Sequence, residues 1–188
     1  NYLQRQAQIL KTGRTPITSE IVILSYSIAM KRGPELRDWL GGGVLICDES
    51  HALKSTKAKR TKAILGRGGI ADGASHSWML TGTPITRWND DMYPFMVRAD
   101  MAGMKEQCGG NTLDRFQLRY TVRQKKMFAG SRWPVEMTVG NRNTEELAEW
   151  TYKSSALRVD LDEVFKSMPP LTTNRYTIAL QANPDLNA

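Results

Sequence analysis

Two short apolar runs end in polar turns of unusual chemical content, and this pairing constrains the chain more than any other feature. Val44-Leu45-Ile46-Cys47 leads into Asp48-Glu49-Ser50-His51, and Ser77-Trp78-Met79-Leu80 leads into Thr81-Gly82-Thr83-Pro84. Apolar runs of this length bounded by turn residues read as buried strands. Between them, residues 52–65 are good helix formers with no Pro or Gly, followed by a Gly-rich loop over 66–73. Strand, helix, strand is the parallel crossover unit, and strands apolar on both faces are what a parallel sheet covered by helices requires. Residues 21–24, Ile-Val-Ile-Leu, give a further buried strand that stops at Ser25-Tyr26. The expected fold class is α/β.

Beyond Pro94 the pattern changes. Residues 101–150 carry Gly103, Gly109, Gly110, Gly130, Pro134 and Gly140, together with a periodic segment, Leu113-Phe116-Leu118-Tyr120. Thr144-Glu145-Glu146-Leu147 reads as an N-terminal capping box. This stretch is expected to be a mainly helical excursion from the sheet. Met168-Pro169-Pro170 then punctuates the chain, and residues 176–180 alternate like a strand.

Composition sets outer limits. With 40% hydrophobic and 24% charged residues among 188, the chain is globular in character. No apolar run approaches the ~20 residues that span a bilayer, and Asn1-Tyr2-Leu3-Gln4-Arg5 lacks the apolar core of a signal peptide, so a soluble, unexported protein is expected. Cys47 and Cys108 form no C-x-x-C pair and match no metal-ligand spacing, which fits reduced thiols. A net charge of +7 allows a polyanionic partner without naming one.

Ligands of open α/β sheets bind outside the carboxyl ends of the strands. There an Asp can hold Mg²⁺ against nucleotide phosphates and an adjacent Glu can orient and activate water. The plainer alternative is that Asp48 caps a helix starting near Ala52 and Glu49 is merely solvated. Thr81-Gly82-Thr83 falls at the same sheet edge if the crossover is parallel, where its hydroxyls can hydrogen-bond the acidic pair. Standing alone, it would be an ordinary strand-to-loop turn.

VLICDESHALKS followed by WMLTGTPI resembles motifs II and III of the Swi/Snf-type ATPases of helicase superfamily two, where the consensus reads roughly DEAH-x-x-K-N and LTGTP. Ile23-Leu24-Ser25-Tyr26 resembles the family's strand ending in Ser-Tyr. Phe116 to Tyr120 with Gly140-Asn141-Arg142-Asn143-Thr144-Glu145-Glu146-Leu147 resembles its segments past motif III, and Ala156-Leu157-Arg158 to Met168-Pro169 resembles the LRR…LP segment. The Gly-Asn-Glu-Leu pattern is nearest the annealing-helicase-like and the phage or bacterial members. The chain departs from the family at Val159, Ser55 and Ser50, which stand where a second Arg, an Asn and an Ala are usual. Asn89 also lies further past motif III than the family's Asn.

The resemblance implies a partial RecA-like parallel sheet without its P-loop portion over residues 1–100, a helical protrusion over 101–155, and a closing segment over 156–188 that leads toward a second lobe. It implies ATP and Mg²⁺ as cofactors and double-stranded DNA as partner. Asp48 would hold the metal and Glu49 would activate water, while Ser50, His51, Thr81, Gly82 and Thr83 would couple motif II to motif III. Ser25, Tyr26, Lys54 and Arg87 would contact the DNA backbone. Two basic stretches compete as further phosphate contacts: Lys54, Lys57, Lys59, Arg60, Lys62 and Arg67 after motif II, and Arg115, Arg119, Arg123, Lys125, Lys126 and Arg132 in the protrusion. An ATP-dependent translocase of this type works inside the cell, in the cytoplasm of a bacterial or phage system or in a eukaryotic nucleus. The 188 residues contain no G-x-x-x-x-G-K-[ST], the loop that wraps β- and γ-phosphates. The chain alone is therefore expected to be inactive without a P-loop segment and a second lobe. The alternative is an ATPase-dead module that keeps the fold to bind DNA or protein.

Overall fold

Gln8–Leu10 (β1) and Val22–Leu24 (β2) pair in parallel, with Gln8 opposite Val22. The computed structural model describes residues 7–159. Ser25 stops β2 and caps the next helix, Tyr26–Lys31 (α1), its extended backbone letting Oγ accept from the Ile28 N–H at 3.4 Å. Gly33–Leu40 (α2) opens with Pro34 in its first turn and closes at Gly41, whose φ of 47° is the left-handed conformation a helix end favours. Val44–Cys47 (β3) and His76–Met79 (β4) then pair in parallel, with Val44 opposite His76 and Cys47 opposite Met79.

The crossover between β3 and β4 departs from the expected helix over 52–65. Ser50–Leu53 is a 3₁₀ turn, and the α-helix spans only Lys59–Leu65 (α3). Ser55 and Thr56 offer side-chain oxygens that compete for backbone bonds, and Ala58 is extended, so the helix cannot begin sooner. Thr61 on α3 donates its hydroxyl to the Leu53 carbonyl at 3.1 Å, fastening the late helix to the turn.

The chain next forms Tyr93–Ala99 (α4), Met101–Cys108 (α5) and Leu113–Tyr120 (α6), and then an antiparallel hairpin of Thr121–Lys126 (β5) and Val135–Asn141 (β6). Thr144–Ser154 (α7) ends the regular structure. Helices α5, α6 and α7 make up most of the regular structure of this part, and the hairpin, which the sequence does not announce, is set between α6 and α7. The capping box fails to form. Asn143, in the left-handed region, occupies the N-cap position, and the Thr144 hydroxyl is taken by Asn89 instead.

One hydrophobic cluster joins the parallel pair β3–β4 to the helices that follow. Leu36, Leu53, Ile64 and Met96 lie in it with Met104, Phe116, Tyr120 and Leu147. Its aromatic spine runs from Tyr93 edge-on to Phe116 at 5.7 Å, on to Tyr120 at 4.8 Å, and then to the stacked Trp150 at 6.3 Å. By contacts, one unit reaches Ala156 and a second begins at Leu157. The predicted strand over 176–180 and the Met168-Pro169 segment lie outside the described residues.

The class is α/β, and the described residues do not show the partial RecA-like parallel sheet as a single sheet. They hold three separate two-stranded sheets, two of them parallel. Nor are the parallel strands covered on both faces. Val44, Ile46, Trp78 and Leu80 are each about half exposed, because the core lies on one side of the β3–β4 pair. Ile23 in β2 is likewise 54% exposed.

Candidate functional site at the ends of β3 and β4

Parallel pairing brings the two polar turns to one edge. Beyond the last strand residues, the Leu80 N–H donates to the Cys47 carbonyl and the Ser50 N–H to the Leu80 carbonyl, both at 2.9 Å. Asp48-Glu49 and Thr81-Gly82-Thr83 are thus held side by side by main-chain bonds.

Glu49 adopts φ 48° and ψ 45°. A left-handed backbone at a residue other than Gly or Asn is strained, and such strain clusters where side-chain direction matters. Its N–H donates to the Asp48 Oδ1 at 3.0 Å, while its carboxylate lies mostly in solvent, 3.1 Å from the His51 Nδ1. The same nitrogen lies 3.4 Å from the Thr81 Oγ1, and Thr81 Oγ1 accepts from the Thr83 N–H at 3.1 Å. Glu49, His51, Thr81 and Thr83 therefore form one chain of contacts from the acidic turn to the threonine turn. Gly82 has open space where a side chain would project. Ser50 is fully buried and its hydroxyl has no partner among the described residues, so only a small residue fits there.

Tyr26 and Ser25 have intramolecular work. The Tyr26 hydroxyl donates to the Asp48 carbonyl at 2.6 Å, steadying the acidic turn from α1. Burial, the Cys47 thiol and the Asp48 and Glu49 carboxylates all push that hydroxyl upward, so it stays protonated as a donor. Burial also pushes the Cys47 thiol up to about 11, which leaves it an inert core group. Tyr26, Ser27 and Met30 line a groove of about 240 Å³ with Ala58, Lys59 and Arg60, so α1 and the basic start of α3 share one surface.

Lys54 is not a free cation. Its ammonium contacts the Thr86 hydroxyl and lies 3.4 Å from Asp91 Oδ2. Asp91 also accepts from the Thr86 N–H at 3.0 Å, the Thr86 hydroxyl at 2.9 Å and the Arg87 N–H at 3.2 Å. Burial alone would raise the Asp91 carboxyl, but the bonds from Thr86 and Arg87 and the charge of Lys54 hold it below the usual carboxylate range. Sequence reasoning missed this second tie between the two turns. Its only local trace is the Asp90-Asp91 pair at the start of the following helix. Arg87 lies over the Trp88 ring at 4.8 Å, with its side chain available at the surface.

The donor set fits Mg²⁺ borne by a nucleotide. Mg²⁺ is commonly held by one or two carboxylates, with water and phosphate oxygens filling its octahedron. Asp48 is exposed and has a carboxylate oxygen to spare, with Glu49 adjacent. Among the described residues no group of three His, Cys, Asp or Glu side chains could cage a metal on its own. No helix of the described residues is long and apolar enough to cross a membrane.

Comparison with known families matches the SNF2-related domain over residues 2–108, more than half of the chain. A search of curated proteins finds no match.

Proposed function

Because the chain belongs to the SNF2-related family of helicase-like ATPases, we propose that it is the part of a double-stranded-DNA translocase carrying the hydrolysis motif and the coupling motif of the first ATPase lobe. The observation that carries this reading is the contact chain from Glu49 through His51 to Thr81, built on strand ends zipped by main-chain bonds. Asp48 would hold a nucleotide-borne Mg²⁺, whose chemistry is to neutralise phosphate charge during transfer. Glu49, aimed into solvent by its left-handed backbone, would orient and deprotonate the attacking water. His51 would sense the position of Glu49 and pass it to Thr81, and the Lys54–Asp91 tie would pass it to Arg87. The groove between α1 and α3, with Lys59 and Arg60, would take the phosphate backbone without reading sequence.

Glu49→Gln is the test, measured as DNA-stimulated phosphate release with this chain joined to a P-loop segment and a second ATPase lobe. Loss of a positioned general base should lower turnover by about 10²–10⁴-fold with nucleotide binding intact. Turnover retained in the variant overturns the assignment. No turnover from the unaltered assembly, with DNA binding intact, would favour the ATPase-dead binding module.

A further inference from the structure

The far half of the hairpin β5–β6 makes no contact with the site at the strand ends among the bonds described, and it carries a surface that packing does not explain. Every residue over 124–137 is exposed except Ser131. Within it stand Met127, Phe128 and Trp133, with Trp133 72% exposed and Phe128 48%. Val135 and Met137 extend the apolar surface along β6. Large apolar side chains gathered at an exposed tip mark a contact surface. The charges beside them have one sign. Lys125, Lys126 and Arg132 make no ion pair among the described residues, and no acid occurs between Gln124 and Val135. The nearest acid, Glu136, is engaged by Arg123 at 2.9 Å. The Arg132 guanidinium lies 5.8 Å from the Trp133 ring centroid, so cation and ring are presented together.

A partner for this tip must offer negative charge and flat apolar faces in alternation. A nucleic-acid strand with unpaired bases does so: phosphates meet the cations, and each exposed base has a π-face for an aromatic ring. A duplex hides those faces in its own stack and offers phosphates alone, which leaves Phe128 and Trp133 without a role. We propose that the β5–β6 tip is a binding site for single-stranded nucleic acid, with Phe128 and Trp133 stacking on bases and Lys125, Lys126 and Arg132 holding the backbone. The site stands apart from the chemistry of Asp48 and Glu49, so its fate is independent of the proposed hydrolysis.

The experiment is fluorescence anisotropy of the full chain with a labelled oligo-dT strand and with a duplex of equal length. The paired change Phe128→Ala with Trp133→Ala should weaken strand binding by about tenfold or more and move duplex binding less than about twofold. Trp133→Tyr should restore most of the strand affinity, since a ring remains. Lys125→Ala with Lys126→Ala should weaken both ligands and lower the salt dependence. These residues are exposed, so circular dichroism and melting should be unchanged. Glu49→Gln should leave strand affinity untouched. Absence of strand binding by the unaltered chain overturns the proposal, as does strand affinity unchanged by the paired aromatic variant. An equal loss on strand and duplex would make the tip a duplex clamp and also overturns it. If the aromatic variant instead abolishes self-association in sedimentation and leaves DNA binding alone, the tip is a face between copies of this chain.

Discussion

Asn89 is fully buried, and its side-chain nitrogen points at the carbonyls of Tyr120 and Arg142 and the hydroxyl of Thr144, at 3.0–3.1 Å. Its own N–H donates to Asn141 Oδ1 at 2.8 Å, and Asn141 Nδ2 reaches the Arg87 carbonyl at 3.4 Å. The two asparagines thus clip the segment after the threonine turn to the base of the hairpin. Two carbonyls facing one amide fix which end is nitrogen, since an oxygen there would meet the lone pairs of both and find a donor only in the Thr144 hydroxyl. Asn89→Ala should cost about 2–4 kcal/mol by leaving buried acceptors unpaired. At about 2–4 °C per kcal/mol for a chain of this size, melting should fall by roughly 10 °C. Asn89→Asp, nearly the same shape without donors, should cost at least as much. If the Asp variant melts like the parent, the hydrogen-bonding account of this clip fails. Nothing local in the sequence discloses this role, because the partners lie 31 to 55 residues away.

At the scale of elements, Asp100 holds α5 against α7. Its Oδ1 accepts from the Gly103 N–H at 2.8 Å and its Oδ2 from the Trp150 indole N–H at 2.8 Å. Those two bonds, from Gly103 first and Trp150 second, keep the Asp100 carboxyl below the usual range. Gly103 sits inside α5, where Ala would ordinarily gain about 1 kcal/mol over Gly. Here a Cβ would overlap the Asp100 carboxylate and crowd the Trp150 indole. Gly103→Ala should therefore destabilise, by about 1–3 kcal/mol, as read from urea unfolding midpoints. A midpoint that rises would mean that α5 and α7 do not meet as described. Elements were legible where the apolar pattern is local and strong. β3 falls on Val44–Cys47 as read, and α6 on the periodic Leu113–Tyr120 segment. β5, Thr-Val-Arg-Gln-Lys-Lys, was not legible because it has little core to face and so carries no apolar alternation. The acidic and threonine turns were picked out by residue type and spacing, whereas Asp91 entered the same neighbourhood only through three-dimensional proximity.

For the molecule as a whole, shifted groups set the pH range of stability. The carboxyls of Glu35, Asp72 and Glu146 lie below their ordinary range through bonds from Arg32, Arg98 and Arg119, and those of Asp91 and Asp100 through the bonds already described. A group whose folded value is depressed leaves the unfolded chain binding more protons in acid, so its contribution is present above about pH 4 and is lost as pH falls toward the folded value. Glu35 and Asp72 are exposed and Asp100 and Glu146 are half-buried, so solvent screening reduces what each contributes. Asp91, more deeply set and with several donors, should dominate. On the alkaline side Cys47 is raised from its ordinary 9.0 to about 11, so its contribution is present below about pH 9 and fades as pH rises toward 11. Urea midpoints measured across pH should therefore show a plateau between about pH 5 and 8.5 with a loss at each edge. Asp91→Asn distinguishes the source of the acid edge. At neutral pH it should lower the midpoint, because the charged acceptor for Lys54, Thr86 and Arg87 is gone. As pH falls, the parent carboxyl gains its own proton and the gap between the two proteins should narrow. A gap constant with pH would mean that Asp91 acts by shape alone, and the tie from Lys54 to the threonine turn would lose its electrostatic basis.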